Sequence, residues 1–178
     1  GEYVPLRPLF DWIPALDQVP RDLERGTENT VFELPQGTLG SVISFEGAFP
    51  RSTRPFAQAG AELLVIATNK ASFGQTPVSD QFIGMTRMRA AELGLDVVHA
   101  AITGKSAFIE ADGTIVSETE PFRAEVLLGT VNFRTAELTP YARFGDWLQY
   151  LAIAGLSVVV GAAGLRRQRH RLQVEQET

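Results

Sequence analysis

The sequence contains no cysteine and only two histidines among its 178 residues. The absence of cysteine excludes a disulfide framework, a cysteine-ligated zinc or iron–sulfur site, and catalysis by a thiol of this chain. Two histidines leave little for a histidine-rich metal site, so we expect neither a metal ion nor a cofactor. The 21 acidic residues outnumber the 16 basic ones, which argues against a nucleic-acid partner, because such proteins usually present a basic face.

Charged residues are absent from one long apolar stretch near the C-terminus. Residues 147–165 read WLQYLAIAGLSVVVGAAGL, nineteen residues without a charge. As a helix this stretch is about 28 Å long, close to the roughly 30 Å hydrocarbon core of a bilayer. Trp147 and Tyr150 lie at one end, where aromatic rings favour the headgroup region. The pattern predicts a transmembrane helix; the alternative is a buried helix of a soluble fold followed by a basic tail.

The two sides of this stretch differ in charge. Residues 1–165 carry 12 basic and 19 acidic side chains, a net charge of −7, whereas residues 166–178 carry four arginines and two glutamates, a net charge of +2. By the positive-inside rule the arginine-rich end is cytoplasmic. We therefore expect residues 1–146 to be extracytoplasmic, residues 147–165 to cross the cell membrane and residues 166–178 to form a basic cytoplasmic tail. Because no export signal precedes this single span, the sequence looks like the C-terminal piece of a longer protein.

The first 146 residues combine short apolar runs with one clear helical pattern. Residues 80–93 predict a helix with Asp80 as its N-cap and Gly94 as its C-cap, and residues 1–37 are rich in loop-forming residues. A strand, a helix and a strand followed by a meander indicate an α/β sheet with sequential strands. The predicted strands span residues 39–45, 62–68, 97–102, 106–111, 114–117 and 125–133, with a turn at 47–54 and a short helix at 54–60.

Ser44, at the end of the first predicted strand, is the most informative candidate. A nucleophile at the carboxyl end of a strand lies where α/β proteins usually bind their ligands. Glu46 points to the same side if the strand continues through it. Taken alone, a serine at a strand end is more often bonded to the backbone, and Glu46 is more often paired with Arg51 or Arg54.

The remaining candidates fall into a loop and a set of structural residues. Residues 69–74 follow the next strand at the same sheet edge, where their backbone N–H groups can face an anion. The helix residues Arg87, Arg89 and Glu92 are expected to form a structural ion-pair set. His99, on an apolar strand, is expected to be a satisfied core or edge histidine.

Six segments in a fixed order resemble the apolipoprotein N-acyltransferases, a membrane branch of the nitrilase, or carbon–nitrogen hydrolase, superfamily. The resemblance covers essentially all 178 residues. The segments are GEYVPL at 1–6, ISFE at 43–46, TNKASFG at 68–74, MTRMRAAELG at 85–94, LTPYAR at 138–143 and the apolar stretch with its arginine tail.

This resemblance implies an α/β fold, namely the C-terminal part of a nitrilase-like αββα sandwich followed by one transmembrane helix. It also implies an activity, in which an acyl chain passes from a phospholipid to the enzyme nucleophile. The chain then passes to the α-amino group of the diacylglyceryl-cysteine at a lipoprotein N-terminus. The implied partners are the phospholipid donor, the lipoprotein, the membrane and upstream transmembrane helices of the same protein.

The residues of the family's site carry over only in part. Its catalytic triad is Glu, Lys and Cys; the Glu and Lys lie upstream of the first segment, so the isolated chain is expected to be inactive. Ser44 occupies the Cys position, and Glu2 and Glu46 match glutamates of the site. The substrate-binding loop is matched by Asn69 and Phe73, while Lys70 replaces its aspartate and Ser72 its tryptophan.

Serine at the nucleophile position leaves three interpretations open. A hydroxyl is far less acidic than a thiol and needs a positioned base. The first interpretation is that the protein is an active serine variant. The second is an inactive homologue kept as a scaffold in lipoprotein modification, and the third is an engineered Cys-to-Ser trap. We favour the active variant, with a nitrilase-type amidase as the alternative enzyme.

Overall fold

The computed structural model describes residues 7–10, 12–13, 28–135 and 137–176. The chain divides into two units, Gly1–Thr30 and Val31–Thr178. In the first unit the short helix α1 spans Arg7–Phe10. Glu2, a candidate site residue, lies outside the described residues.

The second unit is built on one six-stranded sheet whose strands follow one another in chain order, β1 to β6. Strands β2, β3 and β4 pair in parallel, and the other pairings are antiparallel. The predicted α/β sheet with sequential strands is therefore confirmed. The prediction of loops over residues 1–37 is wrong at β1. The strands are Val31–Leu34 (β1), Gly37–Ile43 (β2), Leu63–Thr68 (β3), Asp96–Ala101 (β4), Ala107–Ile109 (β5) and Ile115–Glu118 (β6).

Two helices cover one face of this sheet and form the core with it. Helix α2, Pro50–Gln58, connects β2 to β3, and helix α3, Val78–Leu93, connects β3 to β4. Alternate strand residues point to the same face, so one side of β2, β3 and β4 supplies the core. The core residues of the sheet and the two helices include Val42, Leu64, Ile66, Val97, Phe56, Ala57, Ile83 and Ala90.

Both helices begin earlier than predicted. Helix α2 begins at Pro50, so the prediction of a turn over residues 47–54 is wrong beyond that position. Proline suits the first turn of a helix because its φ is preset and its missing N–H is not needed there. Helix α3 begins at Val78, and Asp80 lies in its first turn rather than at the cap. Its carboxylate instead pairs with Lys105 at 2.8 Å, while Gly94 ends the helix in the left-handed conformation, as predicted.

Residues 125–133 do not form the predicted strand. Their alternating pattern suits a strand, but the segment has no ladder partner among the described residues and crosses the second face of the sheet. Gly129 lies so close to the Phe108 ring that a Cβ there would approach it to 2.7 Å. The segment is held at single points, chiefly by the buried carboxylate of Asp96 at the start of β4, which accepts from Asn132 and Arg134.

The short helix α4 and a glycine connect the sheet to the C-terminal helix. Helix α4, Pro140–Phe144, receives a hydrogen bond from Gln58 of α2 at the Ala142 carbonyl, 3.0 Å. Gly145 follows with φ 64°, and a Cβ there would overlap the Arg54 guanidinium of α2. Only glycine meets both requirements.

Helix α5, Trp147–Gln176, contains the apolar stretch. The window Trp147–Gly164 is long and apolar enough to cross a membrane, and none of it is buried. A soluble core helix of this composition would be mostly covered by protein, so the alternative of a buried helix does not fit this exposure.

The Asp96 carboxylate is expected to anchor the crossing segment. Burial raises its pKa, but hydrogen bonds from Asn132 and Arg134 outweigh that effect and hold the pKa below its ordinary value. Asp96→Asn removes the charge that these donors need, and we expect it to lower the free energy of unfolding by about 2–3 kcal/mol. Thermal unfolding in detergent measures the loss. The exposed Glu120→Gln serves as control, and equal melting temperatures of the two variants would contradict the anchor.

Candidate functional site

Ser44 stands at a sharp turn directly after β2. Its φ is 54°, a left-handed conformation that side chains other than glycine rarely adopt. The strand therefore ends at Ile43, and residues Ser44–Ala48 form a 3-10 turn. The prediction that the strand runs to Phe45 is wrong, because this backbone turn breaks the extended conformation. We call the segment Ser44–Ala48 the elbow.

Glu46 folds back over the start of the elbow instead of continuing the strand face. Its Oε2 accepts a hydrogen bond from the Ile43 backbone N–H at 3.3 Å. Gly47, next in the chain, is buried against β3, where a Cβ would come within 2.6 Å of the Ile66 side chain. The elbow is thus pressed against the sheet at a position where only glycine fits without rearrangement.

A buried arginine of α3 holds the end of the elbow. Arg89 is 4% exposed, and its Nη1 donates to the Ala48 carbonyl at 2.7 Å. Its Nη2 pairs with Glu92 at 2.7 Å. The predicted structural ion pair of Arg89 and Glu92 is confirmed, while Arg87 donates to the Gly113 carbonyl instead.

The loop after β3 lies beside the elbow because β2 and β3 are parallel neighbours. Asn69 accepts a hydrogen bond from the Ala71 N–H at 3.0 Å, which shapes the turn, and the short helix Ala71–Phe73 follows. Asn69, Ser72 and Phe73 are exposed. These residues and Ser44 therefore share the carboxyl edge of the sheet, as the sequence predicts.

Four large apolar side chains are exposed along this edge. They lie at, or directly after, the carboxyl ends of three successive strands, β2, β3 and β4. The four residues, called the apolar rim, are Ile43, Phe45, Phe73 and Ile102, with exposures of 69%, 55%, 42% and 88%.

Lys70, which replaces the aspartate of the family's loop, is buried at this edge. It is 3% exposed, and its Nζ lies 3.1 Å from the centroid of the Phe82 ring. Burial lowers its pKa to about 8. One feature of the sequence could have indicated a special position for Lys70. The chain has only two lysines, and Lys70 comes two residues after a predicted buried strand.

His99 is buried on β4 behind the edge. Its Nδ1 lies 2.8 Å from the Thr86 hydroxyl, which itself donates to the Phe82 carbonyl at 2.9 Å. Because the hydroxyl has one hydrogen, this pattern is satisfied when Nδ1 donates to Thr86. Burial, and then the charge of Lys70, lower the pKa of His99 to about 4. His99 is the satisfied core histidine that the sequence favoured.

Other features lie away from this edge. A cleft of about 410 Å³ is found near the amino ends of β3 and β4, lined by Ala61, Leu95 and Arg134 among others. It is remote from Ser44 and contains none of the candidate residues. Among the residues that the structure describes, no group of three or more acidic or histidine side chains is arranged to hold a metal ion.

Comparison with known proteins establishes the family. The carbon–nitrogen hydrolase family model matches residues 7–141. The chain belongs to the carbon–nitrogen hydrolase family. Its similar members include apolipoprotein N-acyltransferases of Geobacter metallireducens, 35% identical over 96% of this chain and 32% of that protein, and of Bdellovibrio bacteriovorus, 31% identical over 95% and 32%. The resemblance predicted from the six segments is confirmed, and the chain spans about a third of the length of these relatives.

Solved structures of the nitrilase superfamily are also similar to this carbon–nitrogen hydrolase chain. Nit3 of Saccharomyces cerevisiae has a TM-score of 0.47 at 20% identity, covering 56% of this chain and 39% of that one. An amidase from Nesterenkonia has a TM-score of 0.47 at 22% identity, covering 56% and 40%.

The neutral His99 makes stability depend on pH. In the unfolded chain a histidine binds a proton near pH 6.5, whereas folded His99 does so only near pH 4. The contribution of neutral His99 to the free energy of unfolding is therefore complete above pH 6.5. It is lost as the pH falls to 4, and the loss amounts to about 3 kcal/mol. Unfolding in detergent at pH 7, 5.5 and 4.5 measures the decline.

Two histidine variants separate this effect from the titration of carboxylates. His99→Gln is expected to lose the part of the decline between pH 6.5 and 4, whereas His170→Gln, the change at the only other histidine, keeps it. The assignment to His99 fails if both variants follow the unaltered protein.

Proposed function

We propose that this chain is the nucleophile-bearing part of an apolipoprotein N-acyltransferase. In this proposal Ser44 takes an acyl chain from a phospholipid and gives it to the α-amino group of a lipoprotein's N-terminal diacylglyceryl-cysteine. The observation that carries the proposal is Ser44 at the elbow, with φ 54° and bordered by the apolar rim. Strained backbone of this kind is characteristic of functional sites, where the surrounding contacts hold it in place.

The reaction has two balanced halves. The Ser44 Oγ attacks the ester carbonyl of the phospholipid, an ester to Ser44 forms, and the lysophospholipid leaves as an alcohol that receives the serine proton. The lipoprotein amine then attacks this ester, an amide forms, and the Ser44 hydroxyl is regenerated with a proton from the amine. The base that both halves require is assigned to the family's upstream glutamate.

The remaining candidate residues are assigned as follows. Glu46 fixes the elbow through the Ile43 N–H. Glu2 is assigned to the family's site only because it matches the glutamate of the first segment. Asn69, Ser72 and Phe73 line the substrate side.

An apolar edge suits this substrate better than a small amide. An acyl chain buries apolar surface, and each CH₂ group removed from water contributes about 0.8 kcal/mol. The exposed Phe45, Phe73 and Ile102 offer such surface along the sheet edge that carries Ser44. Contact with lipid also keeps water from the ester, which favours transfer to an amine over hydrolysis.

The membrane arrangement follows from the same proposal. Residues 147–165 cross the cell membrane, residues 1–146 lie on its extracytoplasmic side and residues 166–178 lie in the cytoplasm, next to further transmembrane helices of the same polypeptide. Support comes from the exposed apolar window Trp147–Gly164 and from the arginines that follow it.

An acyl adduct on Ser44 tests the proposed function. The full-length protein in membranes is expected to carry a fatty-acyl ester on the peptide that contains Ser44, detectable by mass spectrometry and released by hydroxylamine. Ser44→Ala loses the adduct and the transfer activity. Ser44→Cys forms a thioester, which reacts faster with amines.

Ser117→Ala, a change on β6 away from the edge, is the matched control and keeps the adduct. No adduct in the unaltered protein, or full activity of Ser44→Ala, would exclude Ser44 as nucleophile and favour the inactive scaffold. Release of free fatty acid without amide formation would indicate a hydrolase.

Single cysteines test the membrane arrangement, because the 178 residues contain none of their own. Glu120→Cys is expected to react with a membrane-impermeable maleimide in intact cells, whereas Thr178→Cys reacts only after the membrane is permeabilised. Labelling of both positions in intact cells, or of Thr178→Cys alone, contradicts the arrangement.

A further inference from the structure

Lys70 is buried at the carboxyl edge, and no step of the proposed reaction uses it. Among the described residues no carboxylate pairs with it; its charged end instead faces the rings of Phe82, at 3.1 Å from the centroid, and Phe73, at 5.9 Å. Burying an ammonium group without a counter-ion is costly. A lysine in this position therefore points to a role that an apolar residue would not fulfil.

The backbone fixes the direction of this side chain. The Lys70 N–H donates to the Thr103 carbonyl at 2.9 Å, which ties the loop after β3 to the loop after β4. Gly104, with φ 112°, lets the lysine stem pass close by, since a Cβ there would lie 3.2–3.3 Å from the Cγ and Cβ of Lys70. The amine is thus held over Phe82 by the geometry of two loops.

Aromatic contacts connect the amine to the elbow. The Phe82 ring lies 5.6 Å from the ring of Phe45, the residue directly after Ser44. Phe45 in turn contacts Phe49, edge to face at 5.0 Å, where the elbow ends. Lys70, Phe82 and Phe45 form a continuous column that ends at the neighbour of the proposed nucleophile.

We propose that Lys70 is a positioning residue of the elbow: its ammonium group holds Phe82, and through Phe82 it holds Phe45 in the arrangement that orients Ser44. This inference rests on the proposed function, because that function makes the orientation of Ser44 matter. A cation is attracted to the face of an aromatic ring by the ring's quadrupole, so the charged form of Lys70 holds the column more firmly than the neutral amine.

The column should therefore respond to pH. The charged or titratable groups on the elements around Lys70 are His99 and Asp96 on β4, Asp80, Arg87, Arg89 and Glu92 on α3, Lys105 after β4 and Glu46 in the elbow. Asp96 pairs with Arg134 and Arg89 with Glu92, while Arg87 donates to the Gly113 carbonyl. His99 is neutral above pH 6.5, and Asp80 and Lys105 neutralise one another at 2.8 Å. Glu46 is engaged with the Ile43 N–H. Burial brings the pKa of Lys70 to about 8, so the amine loses its charge between about pH 7 and 9.

Two substitutions of Lys70 in the full-length protein test the proposal, with Lys105→Met, the change at the only other lysine, as matched control. The readouts are acyl-ester formation on Ser44 from phospholipid and the rate at which a fluorophosphonate probe labels Ser44, from pH 6.5 to 9.5. The probe needs an oriented serine but no lipid. Melting temperatures show that each variant is folded.

Lys70→Met is expected to slow both reactions about tenfold at pH 7, because the column loses its cation. Lys70→Arg keeps its charge and retains the rate at pH 7. Above pH 8 its rate exceeds that of the unaltered protein, so the ratio of the two rates rises with a midpoint near pH 8. Lys105→Met behaves like the unaltered protein in both assays.

The proposal is overturned if Lys70→Met labels at the unaltered rate, or if the Lys70→Arg ratio stays flat with pH. If phospholipid gives no acyl ester but the probe labels Ser44 with the expected dependence on Lys70, the acyl-transfer function fails and the positioning role stands. If the probe does not label Ser44 in the unaltered protein, the positioning role fails as well.

Discussion

Parallel pairing of β2, β3 and β4 is the constraint on which the site depends. Parallel strands end at one edge, so the elbow, the loop with Asn69 and the loop with Gly104 meet there although they lie far apart in the sequence. The pairing in turn depends on the helix-covered face, where Leu64 and Ile66 are fully buried. Burial of such side chains contributes about 1.5–3 kcal/mol each. The core thereby sets the positions of residues that do not belong to it.

Buried polar groups transmit that constraint to the elbow and to the crossing segment. Arg89 fixes the Ala48 carbonyl from α3, and Asp96 fixes Asn132 and Arg134 from the start of β4. Removing either buried charge would leave its hydrogen-bond partners unpaired, which costs stability. Lys70 differs, because its partners are aromatic rings rather than carboxylates. Burial lowers the pKa of Lys70 to about 8, so its charge changes just above neutral pH.

Much of the fold was predictable because it depends on local patterns of apolar and helix-ending residues. The run at residues 63–68, the glycine cap at Gly94 and the exposed helix from Trp147 follow from apolar periodicity and residue type. The position of Ser44 and Asn69 at one sheet edge follows from the order of the strands. The errors came from tertiary effects: the positive φ of Ser44 ends β2 early, and residues 125–133 alternate like a strand but cross the sheet. Burial of Lys70 depends on Gly104 and Phe82, distant in sequence, and no local pattern reveals it.

The junction at Gly145 has a mechanical consequence. Only Gly145 and Asp146 separate α4 from α5. Gln58 of α2 donates to the Ala142 carbonyl of α4, and the Arg54 guanidinium packs against Gly145. In the proposed arrangement, no long linker therefore separates the bilayer from the sheet. A helix too long or too short for the bilayer adjusts by tilting. Any such tilt would be passed to the elbow, so membrane thickness itself becomes a variable that sets how deeply Ser44 reaches towards the lipid.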